Sequence, residues 1–218
     1  MPDYIIDGAI LADIADAVRA KTGDTEPIIP EEMAAKLLNT EGDYERGYAE
    51  GYEKGDSNMD GILTRQATTI SNDRITYLGI EVFRNYESLA IADFPNVTSA
   101  GANIFYACYA LHTVNLPSLI SISSNMFAYS SLLKRLDFPS VESIDTRAFS
   151  SCSRLVTLVL RKADAVCTLK NVNAFTNTPI EKGTGFVYVP DNLVEQYKVA
   201  TNWSNYANQI KPISELEV

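Results

Sequence analysis

The chain has 218 residues, 46% of them hydrophobic, with 28 acidic against 18 basic side chains and a formal net charge of −10. That apolar content is enough to bury a core, which excludes disorder over the whole length, and the lack of any run of about 18 apolar residues excludes a spanning helix. The acidity argues against nucleic acid as the main partner, because phosphate binding needs clustered Lys and Arg.

The opening Met1-Pro-Asp-Tyr4 lacks a basic stretch followed by an apolar one, so no Sec signal is expected. Charge is unevenly spread. Residues 1–60 hold 15 Asp/Glu and 5 Lys/Arg, whereas the remainder holds 13 of each. This asymmetry predicts two differently built parts meeting near residue 60.

In the acidic part, Ile10, Leu11, Ile14, Ala17 and Val18 fall on one helical stripe that ends near Gly23. A second short helix is expected from Pro30, with Met33, Leu37 and Leu38 on one face. Glu31 and Glu32 favour its dipole from the first turn. The string Ile14-Ala-Asp-Ala-Val-Arg-Ala-Lys-Thr-Gly23, followed by Ile29-Pro-Glu-Glu-Met-Ala34, resembles a small module in tail-associated structural proteins of Firmicutes phages and prophages. The resemblance spans about residues 8–40. It implies a module that attaches the chain to other virion proteins or oligomerises it.

A tandem tetrapeptide follows, Tyr44-Glu-Arg-Gly47, Tyr48-Ala-Glu-Gly51 and Tyr52-Glu-Lys-Gly55. As a helix it sets a tyrosine stripe beside a glycine stripe. Each glycine costs about 1 kcal/mol relative to alanine, so such a helix needs a partner to pack against. The segment reads either as a homo-oligomerising stem or as a soluble linker. Asp56, Asn58 and Asp60 before Gly61 match the first half of an EF-hand loop. Ala67 stands where that loop needs its bidentate carboxylate, so the choice is between a weak calcium site and a polar turn. No other metal site and no cofactor is expected.

The second part repeats. Phe83, Phe105, Phe127 and Phe149 lie 22 residues apart, each followed six residues later by Leu89, Leu111, Leu133 or Leu155. Pro95, Pro117 and Pro139 stand twelve residues after the first three phenylalanines. A unit this small cannot bury its own apolar face, so stacked neighbours must bury it jointly in a solenoid. Residues 111–117 and 133–139 read as short strands ended by proline, and 118–122 and 140–144 as second extended stretches. The segment around Phe149 reads as a helical turn or tight loop. The pattern Ala-Phe-x-x-Cys-x-x-Leu, then a strand ending Leu-Pro, then x-Leu-x-x-Ile, resembles the BspA-type leucine-rich repeat over roughly residues 75–180.

The fourth unit departs from this pattern: Arg161 replaces the proline, and Phe175 follows Phe149 by 26 residues. The stack is therefore expected to close there. Gly185–Pro190 reads as a last strand, with Asp191 capping a following helix that carries Leu193, Val194, Tyr197 and Val199. The tail resembles the Val-Pro-x-x-Leu-Val-x-x-Tyr-Lys-x-Ala-x-x-Trp-Ser ending found after such repeats.

The expected fold is α+β: a helical module over 1–42, a Tyr/Gly stem or linker over 43–61, a solenoid of 22-residue repeats over 62–182, and a strand-helix cap over 183–218. Cys108 and Cys152 recur at one repeat position two coils apart, about 10 Å at ordinary strand spacing, too far for a disulfide. With Cys167 they read as buried fillers. His112 is the single histidine, and phosphate loops and hydrolase motifs are absent, so no enzyme is expected.

Two outward strand columns form the expected binding face: Asp93, Asn115 and Asp137 ending in Val159, and Ile91, Thr113, Arg135 and Thr157. Tyr106, Tyr109 and Tyr129 add surface aromatics suited to sugars or protein side chains. The two resemblances together imply a tail- or capsid-attached virion protein, made in the bacterial cytoplasm, that presents repeats to a host protein or glycan. The alternative is a bacterial cell-surface adhesin of the BspA-like kind.

Overall fold

Short extended segments ended by proline or polar turns set the architecture of the repeats. A computed structural model describes residues 65–216. The expected N-terminal helices, the phage-like string at 8–40, the residues Tyr44 to Gly55 and the Asp56, Asn58, Asp60 triplet lie outside the described residues. The chain divides between Asn58 and Met59, and every described residue belongs to the second unit.

Strands come in pairs, one long and one short per coil. The longer ones are β1 (Thr69–Ser71), β3 (Ile91–Asp93), β5 (Thr113–Asn115), β7 (Arg135–Phe138) and β9 (Thr157–Leu160). The shorter ones are β2 (Tyr77–Leu78), β4 (Ser99–Ala100), β6 (Ser121–Ile122), β8 (Ser143–Ile144) and β10 (Thr168–Leu169). Pairing is parallel and in repeat register, as in Asp93↔Asn115 and Asp137↔Val159. Most strands meet their own counterpart one unit along, the exceptions being β5 with β7 and β4 with β6, which are not paired.

The interior is built around a phenylalanine spine. Ring centroids of Phe83, Phe105, Phe127, Phe149 and Phe175 follow one another at 5.5, 5.6, 5.7 and 5.4 Å, with planes within 12° of parallel. Phe175 thus continues the stack instead of closing it. Its four extra residues sit mostly between β9 and β10. Thr157 precedes Thr168 by eleven residues, whereas Arg135 precedes Ser143 by eight.

The segments around Phe83, Phe105, Phe127 and Phe149 are tight loops, not helices. Two residues per turn hold positive φ, one two positions before the ring (Glu81, Asn103, Asn125, Arg147) and one two positions after (Asn85, Ala107, Tyr129, Ser151). This alternation aims every second N–H along the stack, as in Asn103 to Ser124 O (3.0 Å), Phe105 to Met126 O (2.8 Å) and Ala107 to Ala128 O (2.8 Å). A helix would direct those donors back along its own coil. Left-handed backbone costs roughly 1–2 kcal/mol per non-glycine residue, offset here by inter-coil hydrogen bonds.

Beneath the turns at Phe105, Phe127 and Phe149, the residue three after the ring donates to the previous phenylalanine carbonyl. Cys108 Sγ bonds Phe83 O (3.0 Å), Ser130 Oγ bonds Phe105 O (2.7 Å) and Cys152 Sγ bonds Phe127 O (3.0 Å). Ser130 lies between the two cysteines in the column, and all three cysteines are free and buried. Burial pushes each thiol up to about 12. The folded pKa exceeds the unfolded one, so this stabilisation is whole below pH about 9 and fades as pH rises through that window. Denaturant midpoints are expected to fall progressively above pH 9, while a Cys108→Ser/Cys152→Ser/Cys167→Ser variant shows a shallower decline.

After β10 comes a 3₁₀ turn (Val172–Phe175), then β11 (Phe186–Val189), a 3₁₀ turn (Asp191–Leu193), helix α1 (Val194–Val199), a kinked 3₁₀ segment (Trp203–Gln209) and β12 (Ile210–Pro212). The single α-helix among the described residues has six residues, so this region is repeated strand with little helix. Asp191 does not cap α1; its carboxylate instead accepts the Ser214 N–H (3.2 Å), and Pro190 precedes the turn without a side-chain cap. Trp203 and Tyr206 close the spine against Phe175, with centroids 5.9 and 5.2 Å away. β12 adds the last strand beside β11 and ends at Pro212, which has no N–H to offer a further strand.

Candidate binding surface

The strand face is less uniform than the repeat implies. β1, β3 and β5 form one ladder, and β7, β9, β11 and β12 another. The polar column divides at the same place. Asn115 Nδ2 donates to Asp93 Oδ1 (2.7 Å), whereas Asp137 is held from the other side by Arg161, whose Nε and guanidinium Nη2 lie 2.7 and 2.6 Å from its two oxygens. Arg135 adds a 3.3 Å contact to the same carboxylate. Asp137 in turn raises the affinity of Arg161 for its proton. The residue standing where proline was expected therefore serves as the charge partner of the preceding coil.

Val159 is a correction to the expected column, since it is fully buried. Ile91, Thr113, Arg135 and Thr157 do occupy one register position, in the pairs Ile91↔Thr113 and Arg135↔Thr157. Thr113 Oγ1 is engaged by His112 Nδ1 (2.9 Å) on an exposed edge. Further along, Lys211 Nζ sits 4.3 Å above the Phe186 ring. On this face Asp137 is therefore ion-paired within the chain, while Asp93 is held by an uncharged amide.

A different surface stands on the turns. The backbone positions flanking each spine phenylalanine place Arg84, Tyr106 and Tyr129 in line across three coils. Tyr106 and Tyr129 have centroids 5.2 Å apart, and the Arg84 guanidinium carbon lies 5.0 Å from the Tyr106 ring. Arg84 also pairs with Glu81 (2.5 Å), which accepts from Asn103 Nδ2 (3.0 Å). Tyr109 and Tyr129 are 49% and 44% exposed, the range in which a ring keeps a face for a partner. Sequence reading selected the tyrosines but not Arg84; the available signal was that Arg84 and Tyr106 share the position after their phenylalanines.

Among the described residues, no group of three or more His, Cys, Asp or Glu side chains could hold a metal, and no helix is long and apolar enough to cross a membrane.

Residues 64–182 match the model of the BspA type leucine-rich repeat region in six copies. No curated protein matches the sequence. Among solved structures, the chain is similar to a leucine-rich cell surface protein from Faecalibacterium prausnitzii A2-165, with 16% identity, a TM-score of 0.47, and coverage of 65% of this chain and 35% of that one. The family model covers more than half of the sequence and coincides with the coils of the phenylalanine spine, so the chain belongs to the BspA-type leucine-rich repeat family.

Proposed function

We propose that this chain is a non-enzymatic recognition module of a cell-surface BspA-like protein, with the Arg84–Tyr106–Tyr129 strip as its contact surface for a protein or glycan. The observation that carries this reading is the aligned arginine and tyrosine pair on exposed turns. Tyrosine and arginine dominate the energetics of protein contacts, because each offers large, preorganised area together with hydrogen-bonding groups. In the strand columns, Asp137 is held by Arg161 and Asp93 accepts from Asn115. Partner cells or glycans are expected to bind the purified chain, and Tyr106→Ala/Tyr129→Ala to weaken that binding about thirtyfold, equivalent to about 2 kcal/mol. Unchanged binding by the double variant, with its melting temperature preserved, would remove the strip from the proposal.

A second reading is the virion protein, favoured by the phage-like string at residues 8–40. In it, the first part joins other virion proteins, the Tyr44–Gly55 segment associates copies, and the repeats face the host. Fractionation separates the two: the surface protein stays with the cell envelope, and the virion protein co-sediments with particles.

A further inference from the structure

We propose that the ligand of the turn face is an acidic glycan, a chain whose pyranose rings carry carboxylates, held by the tyrosine strip together with Arg147 and Arg154. This rests on the reading of that strip as the contact surface and extends it by one coil.

Charge on the turns is one-sided. Segments 103–110, 125–132 and 147–154 contain no Asp or Glu, yet the third begins at Arg147 and ends at Arg154. Both arginines are exposed, and among the described residues neither side chain enters an ion pair. Arg84, at the other end of the strip, already has Glu81, and Arg161 on the strand face already has Asp137. Two unmatched guanidiniums therefore flank one turn, each a planar fork of donors suited to a carboxylate.

The groups between them suit a sugar. Ile104, Phe105, Met126, Phe127, Ala148 and Phe149 are fully buried, which leaves the outer side of these turns to ring faces and hydroxyls. One coil along from the exposed rings of Tyr109 and Tyr129 stand Ser131 and Ser151, so no further ring covers them. Among the described residues, the hydroxyls of Ser131 and Ser151 bond nothing in the chain. Those of Ser118, Ser123 and Ser140, elsewhere on the coils, donate to carbonyls of the coil before. Spine rings at 5.6 and 5.7 Å set Tyr106, Tyr129 and the arginine-flanked turn one step apart along the stack.

A protein partner draws most of its affinity from a dry apolar centre, and these turns hold those side chains inside. A sugar acid uses every group that is left. Its C–H face packs on the negative face of a tyrosine ring, its hydroxyls meet the serines, and its carboxylate takes a guanidinium. A chain laid along the stack passes from Tyr106 and Tyr129 to Arg147 and Arg154.

The test titrates the full chain with oligogalacturonate, alginate and hyaluronan oligosaccharides, each built with carboxylate-bearing rings. At least one is expected to bind, and reducing its carboxylates to alcohols to weaken it at least tenfold. Arg147→Gln/Arg154→Gln is expected to lose at least tenfold for the acidic chain, with melting temperature preserved and binding of the reduced chain unchanged. Tyr106→Ala/Tyr129→Ala should weaken both chains. Binding of none of the three, equal affinity for the reduced chain, or full affinity in the arginine variant would overturn the proposal. So would partner-cell binding that protease treatment abolishes and removal of uronate glycans leaves intact, which assigns the strip to a protein. In each of these cases, partner-cell binding that still falls in the tyrosine variant keeps the strip as contact surface, and cell binding unchanged in that variant removes the strip as well.

Discussion

Replacing Phe127 by alanine is expected to lower unfolding free energy by about 3–5 kcal/mol, the range for deleting a fully buried aromatic side chain. Phe127 is completely buried and stacks on Phe105 and Phe149 at 5.6 and 5.7 Å. It also packs beside Phe138, 6.2 Å away. The cavity would open in the middle of the spine, where neighbouring coils are held by backbone rungs and cannot collapse inward independently. A solenoid is stabilised by contacts between adjacent units, so a lost ring weakens two interfaces at once. Chemical denaturation should show this as a lower midpoint, with the transition broadening as the two halves of the stack uncouple. A cost below about 1 kcal/mol would show that the spine is not what holds the coils together. Phe127→Leu should retain most of the stability, since it preserves apolar volume while losing ring stacking.

The cap should be nearly as sensitive. Trp203→Ala is expected to cost about 3–5 kcal/mol, combining a large cavity with an orphaned acceptor. The indole is fully buried, rests against Phe175 and Tyr197, and donates from Nε1 to Cys167 O at 2.6 Å. Tyr197 completes the same joint by accepting the Cys167 N–H through its hydroxyl (2.9 Å). Removing Trp203 uncovers the last spine ring, Phe175, and loosens the segment that delivers β12 to β11. Limited proteolysis should then cut first within residues 194–212, before any cut in the repeats. Trp203→Phe keeps an aromatic ring and much of the packing while removing the hydrogen bond, and is expected to cost less than the alanine variant, about 1–3 kcal/mol. If the alanine variant matched the parent in both stability and cleavage pattern, the last segment would not be acting as a cap.

Much of the repeat architecture was readable from spacing. Phenylalanines 22 residues apart place one ring per coil, and the parallel registers Asp93↔Asn115 and Asp137↔Val159 follow from that period. The cysteines were also legible, because a two-coil separation exceeds disulfide reach whatever the details of the turns. The turns themselves were not. Ala107 and Tyr129 hold positive φ with no sequence signal for it; inter-coil hydrogen bonds impose that backbone on whatever residue arrives there. Asp191 followed a helix-capping pattern, yet Ser214, 23 residues away in sequence, takes its carboxylate.

The candidate surfaces show the same division. Period alone determined which residues share a column, since strands in register repeat their side-chain positions. Only the tertiary structure decided that the column is cut between Asn115 and Asp137, that Arg161 closes one half of it, and that Arg84 joins the tyrosines. The acidic first quarter remains a property of sequence: its charge is set by composition, and charge does not depend on how the chain folds. By itself the sequence determined a stack of coils around one phenylalanine each, because burying identical small units requires stacking. Where its ladders are interrupted, which charges pair and which rings stay exposed depend on distances between coils, which no local pattern encodes.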